Sequence, residues 1–256
     1  MTIDIKVLEK PHLREPILIC GLPGSGYVGK LAADHLINEL EASLIGEVYS
    51  SSFPPQVTIR PDGTSGPMKN VIYASKGNNS IPDMLIFTGD SQPITPEANY
   101  TLSDRIVDLA EELGVKKVFT LAAYITGAFV NVPRVFGTAT QLDLVKELEN
   151  NGVTKMNEGM ITGMNGVLIG IAKIRGLTGA SLLGETSGYI IDAKASKAVL
   201  EILNSVLRIS VDLTDLENKA KEAESVIQTI EQMKKKSQGG TAEKSEIPES
   251  RRGYIS

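Results

Sequence analysis

The chain has 256 residues, 41% of them hydrophobic and 22% charged, with a formal net charge of −5. That length buries a sizeable core without disulfides, and the ordinary composition excludes a disordered polymer. The negative charge excludes a sequence-independent grip on nucleic acid, which needs a basic face, and no apolar run approaches the roughly 20 residues of a membrane-spanning helix.

Residues 1–16 mix charges with Pro11 and Pro16 and read as an irregular lead-in without a leader peptide. With Cys20 as the single cysteine, this predicts a cytoplasmic chain. Ile17–Cys20 is all apolar, the pattern of a strand covered on both faces. From Tyr27 to Leu40, Val28, Leu31, Ala32, Leu36, Ile37 and Leu40 recur at helical spacing, giving strand, glycine turn, helix. Leu44–Tyr49, Val57–Arg60 and Asn70–Ala74 read as strands parted by proline and glycine turns, with no helix between them. Asp83–Thr88 is another buried strand, followed by a helix over Glu97–Leu113, Gly114 as its stop, and a strand at Lys117–Leu121. A short helix over Thr140–Asn150, a helix over Gly163–Arg175, a strand at Ala180–Leu183 and a helix over Lys194–Leu207 complete an α/β core of residues 1–211.

From Asp212 the texture changes. Leu213, Leu216, Ala220, Ala223, Ile227 and Ile230 step by alternating threes and fours, predicting an amphipathic helix over 212–236 that pairs as a coiled coil. Thr214 and Glu217 have capping-box spacing, and Lys234–Lys236 stand where cations suit the helix dipole. Residues 237–256 are polar with no apolar period and read as a flexible tail ending in Gly253-Tyr254-Ile255-Ser256.

The glycine turn matches two nucleotide fingerprints on paper. Gly24, Gly26 and Gly29 make a G-x-G-x-x-G between a strand and a helix, and Glu47 lies where a ribose-binding acid is sought. Against a dinucleotide site, Pro23 sits in the turn and the next strand feeds a meander through Pro54-Pro55. Gly24, Gly29 and Lys30 also fit a P-loop, except that Leu31 stands where a hydroxyl must bind magnesium. The plainer reading is tight turning and close helix–strand packing, with an anion at the helix N-terminus as the remaining option.

Other strand ends carry Asp90 and Glu185, which could act as acid and base or hold magnesium, with Arg134 for an anion. No nucleophile stands beside them, and strand-end capping, an ion pair or surface packing accounts for the same residues. Asn165 reads as a turn or helix-start marker, His35 as a core-edge residue and Cys20 as core. Cys20, His12 and His35 do not make a transition-metal set, and no metal or cofactor is predicted.

The run Ile19–Gly29 resembles the N-terminal signature of the PAC2 family. Thr88-Gly89-Asp90-Ser91-Gln92, Leu121–Tyr124, Pro133–Gly137, Gly163-Met164-Asn165-Gly166 and Leu182–Thr186 are similar to further segments of that family, in order. The resemblance implies a three-layer α/β/α core with a mixed sheet, related to the phosphorylase/hydrolase-like architecture. It also implies a homo-oligomer that helps proteasomes assemble without ATP, with 20S proteasome α subunits as partners. By the same likeness the tail docks on those subunits, which assigns partner binding to Tyr254, Ile255 and Ser256; Tyr254 is third from the end, a register shifted from the family's pattern. The alternative is a nucleotide- or nucleoside-binding enzyme, ATP-grasp-like or phosphorylase/hydrolase-like, using a crevice of Gly24, Gly26, Gly29, Asp90, Arg134 and Glu185.

Overall fold

The apolar runs of the sequence become neighbours in one nine-stranded mixed sheet. The computed structural model describes residues 2–78 and 80–223. In chain order its strands are β1 (Ile3–Val7), β2 (Ile17–Cys20), β3 (Ser43–Ser50), β4 (Val57–Ile59), β5 (Ser65–Pro67), β6 (Asn70–Ser75), β7 (Met84–Gly89), β8 (Lys117–Ile125), β9 (Val135–Ala139), β10 (Thr154–Lys155) and β11 (Thr178–Thr186). The helices are α1 (Val28–Glu39), α2 (Pro96–Glu112), α3 (Leu142–Asn150), α4 (Gly163–Ile174) and α5 (Ala193–Leu207).

The order across the sheet is β1-β3-β6-β7-β2-β8-β11-β9-β10. β7, β2, β8 and β11 run parallel at its centre, while β1, β3 and β6 form an antiparallel flank. Successive central side chains point to opposite faces. Ile17, Ile19, Met84, Ile86, Phe119 and Leu121 pack under α1 and α5. Leu18, Cys20, Leu85, Phe87 and Val118 pack under α2 and α4. Burial on both faces is why these strands read as unbroken apolar runs, and the three layers are those of an α/β/α core.

The helix starts follow from local chemistry. α2 opens with Thr95, whose hydroxyl accepts from the Ala98 N–H at 3.3 Å, and Pro96 needs no partner in the first turn. α5 opens with Asp192, whose Oδ1 accepts from the Ala195 N–H at 2.9 Å.

Several expectations are corrected. Residues 3–7 are a strand, pairing antiparallel with β3 from Ile3 opposite Ser50 to Val7 opposite Gly46. Ile3, Ile5 and Val7 alternate with Asp4 and Lys6, the period of a strand with one face in water. Val57–Ile59 does not join the main sheet; it pairs with Ser65–Pro67 in a separate hairpin. β9 is an added strand, and β8 and β11 run past their apolar stretches to Ile125 and Thr186.

Residues 214–223 are helical, as the spacing predicts. The start is set by Asp212, whose Oδ1 accepts from the Thr214 N–H at 3.0 Å and its hydroxyl at 2.6 Å. His35 Nε2 donates to the Asp212 carbonyl oxygen at 2.6 Å and holds this start against α1. Leu216 and Ala220 are buried and Leu213 partly so, all in the same cluster as Leu200 and Leu203 of α5. The first members of the a/d seam therefore face the core of the compact unit Met1–Ala220, while Ile227 and Ile230 lie outside the described residues.

Candidate functional site

β2 delivers the chain to the carboxyl edge of the sheet, and the glycine turn sends it back as α1. The Gly21 N–H donates to the Phe87 carbonyl at 3.0 Å, and the Thr88 hydroxyl donates to the Gly21 carbonyl at 2.6 Å. Gly26 takes φ +62°, a left-handed conformation natural to glycine. Its carbonyl accepts from the Asp192 N–H at 2.9 Å, tying the turn to the start of α5. A Cβ on Gly29 would stand 2.0 Å from the Leu121 carbonyl oxygen, and one on Gly21 would stand 2.1 Å from the Gly29 oxygen. The first turn of α1 thus lies directly on β8, a position only glycine permits.

Between the first turns of α1 and α4, above the end of β8, a cleft of about 380 Å³ opens. Its walls include Gly24, Gly29, Gln92, Tyr124, Met160 and Asn165. Gln92 bridges the two helix starts: its Nε2 donates to the Pro23 carbonyl at 2.8 Å, and its Oε1 accepts from the Met164 N–H at 2.9 Å. That oxygen serves as the cap that α4 lacks from its own flanking residue. Asn165 is buried, and its Oδ1 lies 4.0 Å from the Cys20 sulfur. Burial pushes the Cys20 thiol up to about 12, so it stays protonated and unreactive.

Of the residues expected to form a ligand crevice, Gly24 and Gly29 line this cleft. Gly26 lies beside Thr186 and Asp192 instead. Asp90 closes the end of β7 onto β6, its Oδ2 accepting from the Lys69 N–H at 3.0 Å. Arg134 and Glu185 pair with each other, through two parallel N–H to oxygen bonds of 2.9 Å. The Glu185 side chain is 5% exposed and that of Arg134 is 61% exposed, so the guanidinium covers the carboxylate from the solvent side. Its hydrogen bonds hold the Glu185 carboxyl below the usual carboxylate range despite burial, which acts the other way. Arg134 also lies over the Phe136 ring, 4.9 Å from its centre, and Phe136 stacks on Tyr124 at 3.9 Å.

The nucleotide fingerprints are engaged elsewhere. Lys30 Nζ donates to both Asp34 oxygens at 2.5 Å, one turn along α1. Glu47 sits on β3, separated from β2 by β6 and β7, where Lys69 and Tyr49 donate to it. Among the described residues no three His, Cys, Asp or Glu side chains gather as a metal site, and no helix is long and apolar enough to cross a membrane. Tyr254, Ile255 and Ser256 lie outside the described residues. Sequence spacing does not single out Gln92 or Met160, whereas Asn165, which reads as a turn or helix-start marker, stands in the first turn of α4; a polar residue opening an otherwise apolar helix is the signal that marks it.

The sequence matches the PAC2 family model over residues 18–231, from the first residues of β2 through all of the sheet but its edge strand β1. The chain belongs to the PAC2 family. Its architecture matches that of Pyrococcus furiosus PbaB, described as an archaeal proteasome activator, with a TM-score of 0.84 and 38% identity, covering 90% of this chain and 98% of that one. Pyrococcus furiosus PbaA, described as an archaeal homolog of proteasome-assembly chaperone, gives a TM-score of 0.76 and 31% identity, covering 92% of this chain and 94% of that one. The uncharacterized protein MJ1210 of Methanocaldococcus jannaschii is 35% identical over 89% of this chain and 88% of its own length. In this PAC2 protein the glycine turn, Gln92 and the start of the Gly163–Gly166 segment meet around one cleft.

Proposed function

We propose that this chain is an ATP-independent proteasome assembly chaperone or proteasome-binding adaptor. In this reading it acts as a cytoplasmic homo-oligomer whose C-terminal tail contacts 20S proteasome α subunits. The observation that carries the reading is the likeness to Pyrococcus furiosus PbaB, at 38% identity over 90% of the chain. The site chemistry supports a binding rather than a catalytic role. Glu185 is occupied by Arg134, Asp90 by a backbone amide, and Cys20 is held protonated by burial.

Residues 237–256 supply the reach, and Tyr254, Ile255 and Ser256 the anchor. Several such tails on one oligomer engage a ring together and raise the effective concentration of each. Deleting residues 237–256 should weaken binding to an α-subunit ring by roughly 100-fold where several tails act at once, while the number of chains in the oligomer stays the same. Undiminished binding of the truncated protein overturns the tail mechanism.

A further inference from the structure

Among the described residues, seven of the fifteen large apolar side chains that stand exposed gather at one end: Tyr27, Ile125, Phe129, Val132, Met160, Tyr189 and Ile191, from 47% to 90% exposed. They come from loops that leave or enter the carboxyl edge of the sheet, at residues 21–27, 125–133, 156–162 and 187–191. These loops touch. The Thr126 N–H donates to the Thr186 carbonyl at 3.0 Å, a Cβ on Gly188 would lie 3.2 Å from Ile125, and Ile125, Ser25 and Met160 share the walls of the cleft. Apolar surface of this extent is uncommon on a protein that works alone.

The same loops are nearly free of charge. The chain is 22% charged, yet these segments hold a single formal charge, Glu158. Of the cations that border these segments, Arg134 pairs with Glu185 and Lys155 with Glu149. A partner of another kind, found by electrostatic complementarity, needs charges to read, and this face offers one. A second copy has the opposite problem. Two chains of net charge −5 repel each other wherever their general surfaces meet, so self-association is least opposed on a face that carries almost no charge. Such a face can also meet its own image without placing like charges together, which is the requirement of an isologous contact. The loops amount to about 28 residues, the size of one side of a standard interface, roughly 20–30 residues.

We propose that this face, centred on the cleft and carrying Phe129, Met160 and Tyr189, packs against the same face of a second copy of the chain. This rests on the homo-oligomer reading and adds the surface that makes it. The cleft then lies within the contact, covered by the partner copy.

The test is the mass of the full-length protein in sedimentation across a dilution series, for the wild type and for a Phe129→Asp, Tyr189→Asp double variant. The wild type is expected at a multiple of 27.5 kDa. The variant should fall to half that mass or less, with an unchanged circular dichroism spectrum, because neither side chain is packed within its own chain. Met160→Lys, at the most exposed of the seven positions, serves as a second variant should the double one fail to fold, and should act in the same direction. A wild-type oligomer that the variants leave intact overturns this interface and leaves the homo-oligomer reading standing. Variants that keep the oligomer but lose binding to an α-subunit ring assign the face to a foreign partner and also overturn it. A wild type that sediments as a single chain at every concentration overturns both.

Discussion

At the middle of the sheet Phe87 and Phe119 are 0% and 1% exposed, yet at the far end of the strand that holds Phe119, Ile125 is 60% exposed, and Phe129 beyond it 66%. In the interior every close approach is accounted for: Gly21 against Gly29, Gly29 against Leu121, Thr120 hydrogen-bonded to Ser181 at 2.7 Å. In the loops large side chains have no such cover. Between the two lies a rim where Arg134 closes over Glu185 and Phe136 stacks on Tyr124. The contrast teaches where stability and binding reside. The fold is held beneath the loops, so the loop side chains are free to serve a contact without being needed for folding.

The largest effect that sharpens this contrast belongs to Gly29. Alanine there would bring a Cβ to 2.0 Å from a backbone oxygen of β8, which no rotamer relieves. Gly29→Ala should abolish folding or cost at least about 3 kcal/mol, the upper part of the range for overpacking. Gly170→Ala is the matched control: the position is exposed on α4, and a Cβ there meets nothing within 4 Å. It should leave stability unchanged or raise it by about 0.5–1 kcal/mol, the helix-propensity gain. Denaturant midpoints of the two variants decide the matter; equal midpoints would mean that α1 is not pressed on β8.

The same contrast explains what the sequence made legible. β2 and β7 could be read because burial on both faces leaves an unbroken apolar run, and α1 and α5 because one face repeats every three to four residues. β1 is hidden by its charges: Asp4 and Lys6 alternate with Ile3 and Ile5, and so short a period does not stand out from an irregular lead-in. β9 carries Gly137 at its centre, where a Cβ would lie 2.7 Å from Val153, so a residue that breaks the strand pattern is the one its packing demands. The ends of β8 and β11 escape the apolar pattern because Ala122, Ala123 and Gly184 are small rather than apolar in bulk. At the site, the glycines were legible as a turn, whereas the Arg134–Glu185 pair spans 51 positions and Gln92 joins Pro23 to Met164 across 69 and 72. Contacts of that separation depend on the topology of the sheet, which local spacing does not encode.

At the rim the expected effect is smaller and depends on pH. Glu185 has its carboxyl lowered in the folded chain by Arg134, so its contribution to stability is present above the ordinary carboxylate value, about 4.3, and is lost as pH falls through the lower folded value. Arg134→Ala leaves that carboxylate buried without its partner and should lower the melting temperature most at neutral pH. The gap to the wild type should narrow as the solution is acidified, because a protonated Glu185 no longer needs the guanidinium. Melting curves from pH 7 to pH 3 test the sign, and a gap that stays the same across that range would show that Arg134 acts through its packing on Phe136 alone.

The smallest expected effect is none, and it concerns the glycine turn as a phosphate cradle. A nucleotide bound at 100 times its dissociation constant would add about 2.7 kcal/mol, several degrees of melting temperature for a domain of this size. Saturating ATP with magnesium should leave the melting curve where it was. Lys30 is held by Asp34, Leu31 stands where the metal-binding hydroxyl belongs, and Gly29 is pressed on the Leu121 carbonyl of β8. A shift that appears with ATP and disappears in Lys30→Ala would mean that the lysine leaves Asp34 for a phosphate. It would also turn the interior-facing glycines into binding groups and erase the division between a fold-bearing core and its loops.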